Sequence, residues 1–375
     1  MSTNPFATTV LTVDLDAVVA NWRLLRQRAG TAICAAVVKA DAYGLGATAV
    51  APALAAAGCQ VFYVATVDEG VTLRAALGDG WPDAEIHVLG GLPADAGAAY
   101  VEHRLIATLN SLYDVDRWLV FQATQNTALP ANLHIDTGMC RLGLPPDELD
   151  RLIEDRQRMS QLALRGLISH LACADIPGHP LNRMQLERFH AARTHLPGPT
   201  ASLANSSGIF LGSPYCFDSV RPGSALFGIN PTPESPNPMA QVLRLQGKIL
   251  QVRNVDTPQT VGYGATHRCA GPARLATVGV GYADGYPRSL SNSGSAYIGD
   301  VRVPIVGRVS MDLITLDVTA AAESLARPGM TVDLIGPHNP VDSVAQTAGT
   351  IGYEILTSLG SRYRRTYLSR RTPAE

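Results

Sequence analysis

Lysine is almost missing from this chain. Of its 30 basic residues only Lys39 and Lys248 are lysines, and all the others are arginines. Arginine keeps its charge at any accessible pH, whereas a lysine beside apolar packing can shed its proton and become a nucleophilic amine. Amine chemistry therefore has two candidate positions. A surplus of charge is missing as well. The formal net charge is −2 and the isoelectric point is near 6.5, which leaves no basic field for nucleic acid and no polybasic patch for membranes. Chemistry on a small molecule is the class that remains. The amino-terminal MSTNPFATTV has no basic segment leading into an apolar core, and the longest Ala-rich stretch, ATAVAPALAAAG, is interrupted by Pro52. Neither an export signal nor a membrane span is expected, and the chain is expected in the cytoplasm. The cysteines Cys34, Cys59, Cys140, Cys173, Cys216 and Cys269 form no CxxC pair and no metal-ligand spacing. They are expected to be reduced and structural, with no metal site.

What is present is material for a large core: 46% of the 375 residues are hydrophobic and 17% charged. Over the first 230 residues, apolar β-branched runs alternate with helical patterns. The strand candidates are TAICAAVV, VFYVA, IHVLG, RLIATL, ANLHID, LRGLISH, TASLAN and FDSVR. Between them lie VDEGVTLRAAL, LYDVDRWLVFQ, PDELDRLIEDRQ and RMQLERFHAARTHL, with helical spacing. Eight such units predict an α/β fold, a (β/α)₈ barrel of the TIM type, with a doubly wound sheet as the competitor. The stretch GINPTPESPNPMA, holding Pro231, Pro233, Pro236 and Pro238, denies the backbone both helix and ladder hydrogen bonds and reads as a boundary. Beyond it come short strand patterns: VLRLQGKILQVRNV, RLATVGVGY, YIGDVRVPIVG, DLITLDV and MTVDLIG. The expected division is a barrel over residues 12–232 and a mostly β domain over 240–375, with residues 1–11 packing on the latter. Alternation with Leu245 and Gly247 puts Lys248 on a polar face, so Lys39 is the lysine left for chemistry.

In such barrels chemistry collects at the carboxyl ends of the strands. Lys39 follows strand one, Arg141 follows strand five in HIDTGMCRLG, and His170 closes strand six. Asn205 and Ser206 follow strand seven, and Arg221, Pro222, Gly223 and Ser224 follow strand eight. The loops after strands seven and eight are common phosphate sites, and Ser206, Gly223 and Ser224 are small enough to let backbone approach an anion. A carbonyl-trapping lysine and a phosphate cup on one rim suggest pyridoxal 5′-phosphate.

The motifs AVVKADAYGLG, HIDTGMCRLG, ANSSG, SVRPG, GYADGY and VGRVSMD, in that order, resemble those of the alanine racemase family, barrel enzymes of fold-type III that carry pyridoxal 5′-phosphate. The resemblance runs over nearly the whole chain. It implies interconversion of L- and D-alanine by two bases, with Lys39 holding the cofactor and serving one face of the substrate Cα. Tyr282 would serve the other face from the partner subunit of a homodimer. His170 and Arg221 would form a chain that tunes Tyr282, with Arg221 also at the pyridine nitrogen, where a guanidinium disfavours protonation. Tyr43, Ser206, Gly223, Ser224 and Tyr353 match phosphate contacts, with Asn205 beside them. Arg141 and the backbone of Met311 would meet the substrate carboxylate, and Asp312 would support the site.

Other readings stand beside this one. A serine or broader small-amino-acid racemase, a fold-type III decarboxylase and a non-catalytic cofactor carrier would share the scaffold. Asp312 and Asp136 also read as turn carboxylates, Tyr263 and Tyr286 as packing or pocket wall, and Gly44 and Gly46 as turn terminators. One departure from the family pattern concerns the position seven residues before Arg141. Many relatives have a carbamate-modified lysine there that orients the arginine, and this chain has His134, with Cys140 replacing a common glycine. Asp136 or a small anion such as chloride is therefore expected to balance Arg141.

Overall fold

The computed structural model describes residues 6–125 and 127–369. The parallel sheet runs in the order Ile33–Cys34, Ser219–Val220, Thr200–Ser202, Ala163–Ile168, Pro130–His134, Leu105–Leu109, Glu85–Val88, Val61–Val64, Ala36–Val37. Its first and last segments are two halves of one strand parted at Ala35. The Ala35 N–H bonds the Val220 carbonyl at 3.0 Å, and the Val38 N–H bonds the Tyr63 carbonyl at 2.9 Å. The nine segments therefore trace a ring of eight strands, and each apolar run expected to be a strand carries one. Val61–Val64 and Leu105–Leu109 are buried at every position, as strands must be when helices cover one face and barrel side chains the other.

The helices follow the expected periodicity with two differences. The pattern at 146–157 breaks at Asp155, which ends the helix Pro146–Glu154 and caps the helix Arg156–Gln161 through the Arg158 N–H. Pro52 does not interrupt its segment, because it lies inside the helix Ala47–Ala56. No helix among the described residues is long and apolar enough to cross a membrane.

The second unit is a mostly β sheet built on the long strand Leu243–Val255. That strand pairs antiparallel with Thr9–Asp14, Thr331–Ile335 and Ala273–Val278. Thr9–Asp14 crosses the expected division at residue 12, since Val13 pairs with Leu243 and Asp14 with Leu368. Asp14 then caps the first helix, Leu15–Arg28, accepting the Ala17 N–H at 2.9 Å. Residues 1–5 and 370–375 of the expected second domain lie outside the described residues. The boundary stretch is tied down by buried Asn21, whose amide donates to the carbonyls of Leu226 and Ala240 and accepts from the Ala240 N–H.

Candidate active site

After Val37 the chain enters a short turn, Lys39–Tyr43, and the turn is left-handed. Ala40, Asp41, Ala42 and Tyr43 have φ of 52°, 53°, 54° and 56°. This conformation costs an L-residue roughly 1–2 kcal/mol, so four in succession need outside support. Hydrogen bonds supply part of it: Ala42 N–H to Val38 O at 2.9 Å and Gly44 N–H to Ala40 O at 2.7 Å. Glu69 supplies more, one carboxylate oxygen accepting the Ala40 N–H at 2.8 Å and the other the Ala65 N–H at 2.7 Å. The Tyr43 ring packs on Phe227 with centroids 4.9 Å apart. Gly44, at φ +81°, sits so close to the Leu356 carbonyl that any side chain would collide with it. Glu69 was legible in the sequence as the last residue of a T-x-x-E capping box, Thr66 to Glu69. Its second duty, bracing the lysine turn, was not.

Lys39 opens into a cavity of about 480 Å³ at the carboxyl ends of the barrel strands. Arg141, His170, Asn205, Ser206, Arg221, Gly223, Ser224, Tyr43 and Tyr353 line the same cavity, as does His134. The unanticipated part of the wall is mainly apolar: Ala65, Leu89, Gly90, Leu142 and Ile168. Three cations line the cavity and no carboxylate does, among the described residues. Burial, then the Arg141 charge, lowers the Lys39 pKa below its ordinary value, with Glu69 opposing. The amine is thus biased toward its nucleophilic form.

Arg221 is buried and charged without a carboxylate partner among the described residues. It donates to the Ser202 carbonyl at 2.8 Å, to Ser202 Oγ at 2.6 Å and to the Ser169 carbonyl. It lies 5.9 Å over the centroid of the Tyr63 ring. The chain expected from Tyr282 through His170 to Arg221 is not joined within this subunit: the hydrogen bonds of Arg221 among the described residues run from Nη1 and Nη2 to Ser202 and Ser169. Burial, and next to it the Arg221 charge, pushes His170 down to about 3 and His134 down to about 4. Both imidazoles are neutral at physiological pH.

Asp136 does not balance Arg141. Its carboxylate accepts the backbone N–H groups of Gly138, Met139 and Cys140 at 2.8, 2.8 and 2.9 Å, which makes it the organiser of the DTGMC loop. Arg141 is exposed and forms no ion pair among the described residues. On the opposite side of the cavity, Ser206 Oγ accepts the N–H groups of Gly223 and Ala225 at 3.0 and 3.2 Å, closing the last two barrel loops onto each other. Ser224 Oγ donates to the Tyr353 hydroxyl at 2.8 Å. The Tyr43 hydroxyl abuts Gly223 where a Cβ would stand. Asn205 caps the next turn, accepting the Gly208 N–H at 2.9 Å.

Tyr282, Met311 and Asp312 stand apart from this cavity. They form a second cluster on the β unit. The N–H groups of Tyr282 and Ala283 bond the carbonyls of Ser310 and Met311 at 3.1 and 2.9 Å. Arg362 ties the cluster together, reaching Asp284 at 3.2 Å and Asp312 at 2.8 Å. Tyr282 is 42% exposed and Met311 54% exposed. Tyr286 is buried as expected of a packing residue, whereas Tyr263 is 71% exposed.

A parallel barrel with a deprotonatable lysine at its carboxyl-end rim, joined to a β unit that presents a tyrosine to solvent, defines a two-domain barrel enzyme of amine chemistry. The family described as "Alanine racemase, N-terminal domain" matches residues 13–231, and "Alanine racemase, C-terminal domain" matches residues 242–367. The chain is 53% identical to the alanine racemase of Rhodospirillum rubrum over 362 residues, 96% of each protein. It is 47% identical to that of Brucella abortus over 372 residues, covering 96% of this chain and 93% of the relative. The crystal structure of alanine racemase from Bartonella henselae with covalently bound pyridoxal phosphate superposes with a TM-score of 0.91 at 41% identity, covering 96% of this chain and all of that one. This chain belongs to the alanine racemase family.

Proposed function

We propose that this chain is an isomerase that interconverts L- and D-alanine, with pyridoxal 5′-phosphate held in the rim cavity and a second copy of the chain completing each site. The observation that carries the reading is the cavity itself. At one end it offers an amine whose proton is loosened by burial, and at the other a corner of hydroxyls from Tyr43, Ser206, Ser224 and Tyr353 around the close-packed backbone at Gly223. An aldehyde and a phosphate on one small aromatic body fit those two ends, and the excess of cations over carboxylates suits an anion.

When bound, the cofactor supplies an electron sink that makes the Cα proton of an attached amino acid removable. Lys39 holds the cofactor through its amine and moves the proton on one side of Cα. A group that returned the proton it had just taken would regenerate the starting enantiomer, so racemisation needs a second carrier on the opposite side. Tyr282 has the right chemistry, and its exposure on the β unit, away from its own cavity, supports its delivery to the cavity of a second copy. Arg141, free of an ion pair, binds the substrate carboxylate together with the Met311 backbone of that second copy, and Asp312 fixes the loop through Arg362. Arg221 would meet the pyridine nitrogen as a donor through Nε–H, which takes no part in its bonds to Ser202 and Ser169. His170, neutral and beside Arg221, supplies an uncharged contact for the incoming tyrosine. The six cysteines are all free, which supports a reducing, cytoplasmic setting.

Borohydride reduction of the loaded enzyme followed by peptide mapping tests the assignment. The cofactor mass is expected on Lys39 and nowhere else. Label on Lys248, or no covalent label, overturns it.

A further inference from the structure

We propose that His134 is a positioning residue for this reaction: Asn110 locks its imidazole in one tautomer, so that the Nε2 lone pair receives an N–H of Arg141 while the substrate carboxylate occupies the other edge of the guanidinium. The proposal rests on the racemase reading of the cavity.

The lock follows from hydrogen-bond bookkeeping. The Asn110 amide nitrogen donates to the carbonyls of Leu89 and Thr108 at 3.1 and 3.2 Å. Carbonyls only accept, so the amide cannot be turned the other way. Its oxygen must then face His134 Nδ1, at 2.7 Å. That oxygen also only accepts, so Nδ1 carries the proton. A neutral imidazole has a single N–H, which leaves Nε2 bare. The ring is neutral because burial and the charges of Arg221 and Arg141 outweigh the opposing charge of Asp136, and His170 beside it is neutral too.

The cavity donors narrow the choice of partner. Arg221 spends Nη1 and Nη2 on Ser202 and Ser169 and is assigned to the cofactor ring through Nε–H, and Lys39 is the amine for the cofactor. Arg141 is not engaged in an ion pair among the described residues. Its loop also folds back onto the strand that ends at His134. The Leu144 N–H bonds the His134 carbonyl at 2.8 Å, and the Asp136 N–H bonds the Leu144 carbonyl at 2.9 Å. Gly143, at φ +104°, lies over the imidazole, where a Cβ would stand 3.1 Å from His134 Cδ2. A neutral acceptor has an advantage over a carboxylate at this spot. It can orient the guanidinium without competing with the substrate carboxylate for the positive charge, and it leaves the charges of Arg141 and Arg221 uncompensated.

The test has two arms on the full-length, cofactor-loaded enzyme. In ¹⁵N-histidine-labelled protein, the resonances that vanish in His134→Gln should report a protonated Nδ1 and a bare Nε2, and a protonated Nε2 overturns the proposal. In kinetics, His134→Leu should raise KM for alanine about 10- to 100-fold, the range of a lost hydrogen bond to a charged group, with a smaller change in kcat. His134→Gln, whose amide oxygen can reach the Nε2 position, should recover most of the loss. Asn110→Asp should raise the imidazole pKa and put a new acid-side ionisation into the kcat/KM profile that the parent enzyme lacks. Cofactor affinity, read by absorbance titration, should be the same in all of them. If it falls in step with the rise in KM, or if KM is unmoved in His134→Leu, the positioning role is refuted. An unmutated enzyme that does not racemise alanine would instead sink the reading of the cavity, while the labelled histidine would still decide the tautomer.

Discussion

The barrel rim and the Tyr282 cluster hold site residues in opposite ways. On the rim, side chains are gathered from seven strand ends into one cavity, and their titration is bent by burial: Lys39 down, His134 and His170 far down. In the cluster on the β unit the backbone is pinned by carbonyls of Ser310 and Met311 and by the Asp284–Arg362–Asp312 bridge, yet the side chains stand in solvent. A rim that concentrates charge can be complete within one chain. A rigid backbone that presents an exposed phenol and an exposed methionine suits the second copy proposed to complete each site. The difference is what the proposed delivery of Tyr282 to a second copy requires.

The sharpest way to break that contrast is complementation. Lys39→Ala should lose racemisation altogether. Tyr282→Phe keeps the ring and should lose roughly 10²- to 10⁴-fold, while still exchanging the Cα proton of one enantiomer with deuterated solvent through Lys39. Co-refolded in equal amounts, the two variants should regain about a quarter of the parent activity. Random pairing makes about half the molecules mixed dimers, and one of the two sites in each then draws an intact lysine and an intact tyrosine from different chains. A mixture as inactive as its components would place both bases in one subunit. Equal loss of exchange from both enantiomers would remove the two-base assignment.

A smaller effect separates the two regions by acidity. Unfolded histidine binds its proton near 6.5, whereas folded His134 and His170 bind theirs at about 4 and about 3. Between those values the unfolded chain holds more protons, so this contribution to stability is fully present above about 6.5 and is lost as pH falls toward 3. Thermal melting followed from pH 7 to pH 4 should show Tm dropping, and His134→Gln should flatten part of the slope. A parent and variant with parallel slopes would contradict the buried neutral imidazole. The smallest expected effect is none: degassing at mildly acidic pH and restoring bicarbonate should leave activity unchanged, since His134 has no amine to form a carbamate. Reversible loss and rescue would show the position to be misread.

The strands of the barrel were legible because each is a run of β-branched and apolar residues closed by a turn, and their carboxyl ends marked the rim. Of the two expectations for Asp136 the turn carboxylate holds and the balance to Arg141 does not, because the DTGMC loop needs a carboxylate for its own N–H groups. Pro52 lies inside an Ala-rich helix that was expected to break there. The His134–Asn110 contact joins residues 24 apart on neighbouring strands, and no local pattern announces it. Nor did ADAY announce a left-handed turn, since that conformation is the signature of glycine and asparagine.

That turn has a consequence for how the sequence can drift. Its backbone is paid for from outside, by Glu69 on one side and by the Gly352–Thr357 helix pressed against Gly44 on the other. A substitution more than 300 residues downstream that loosens the helix is expected to let the turn relax and to displace Lys39. Residues 39–46, Glu69 and residues 352–357 therefore form one heritable unit. Lineages that change one of the three are expected to carry a compensating change in another.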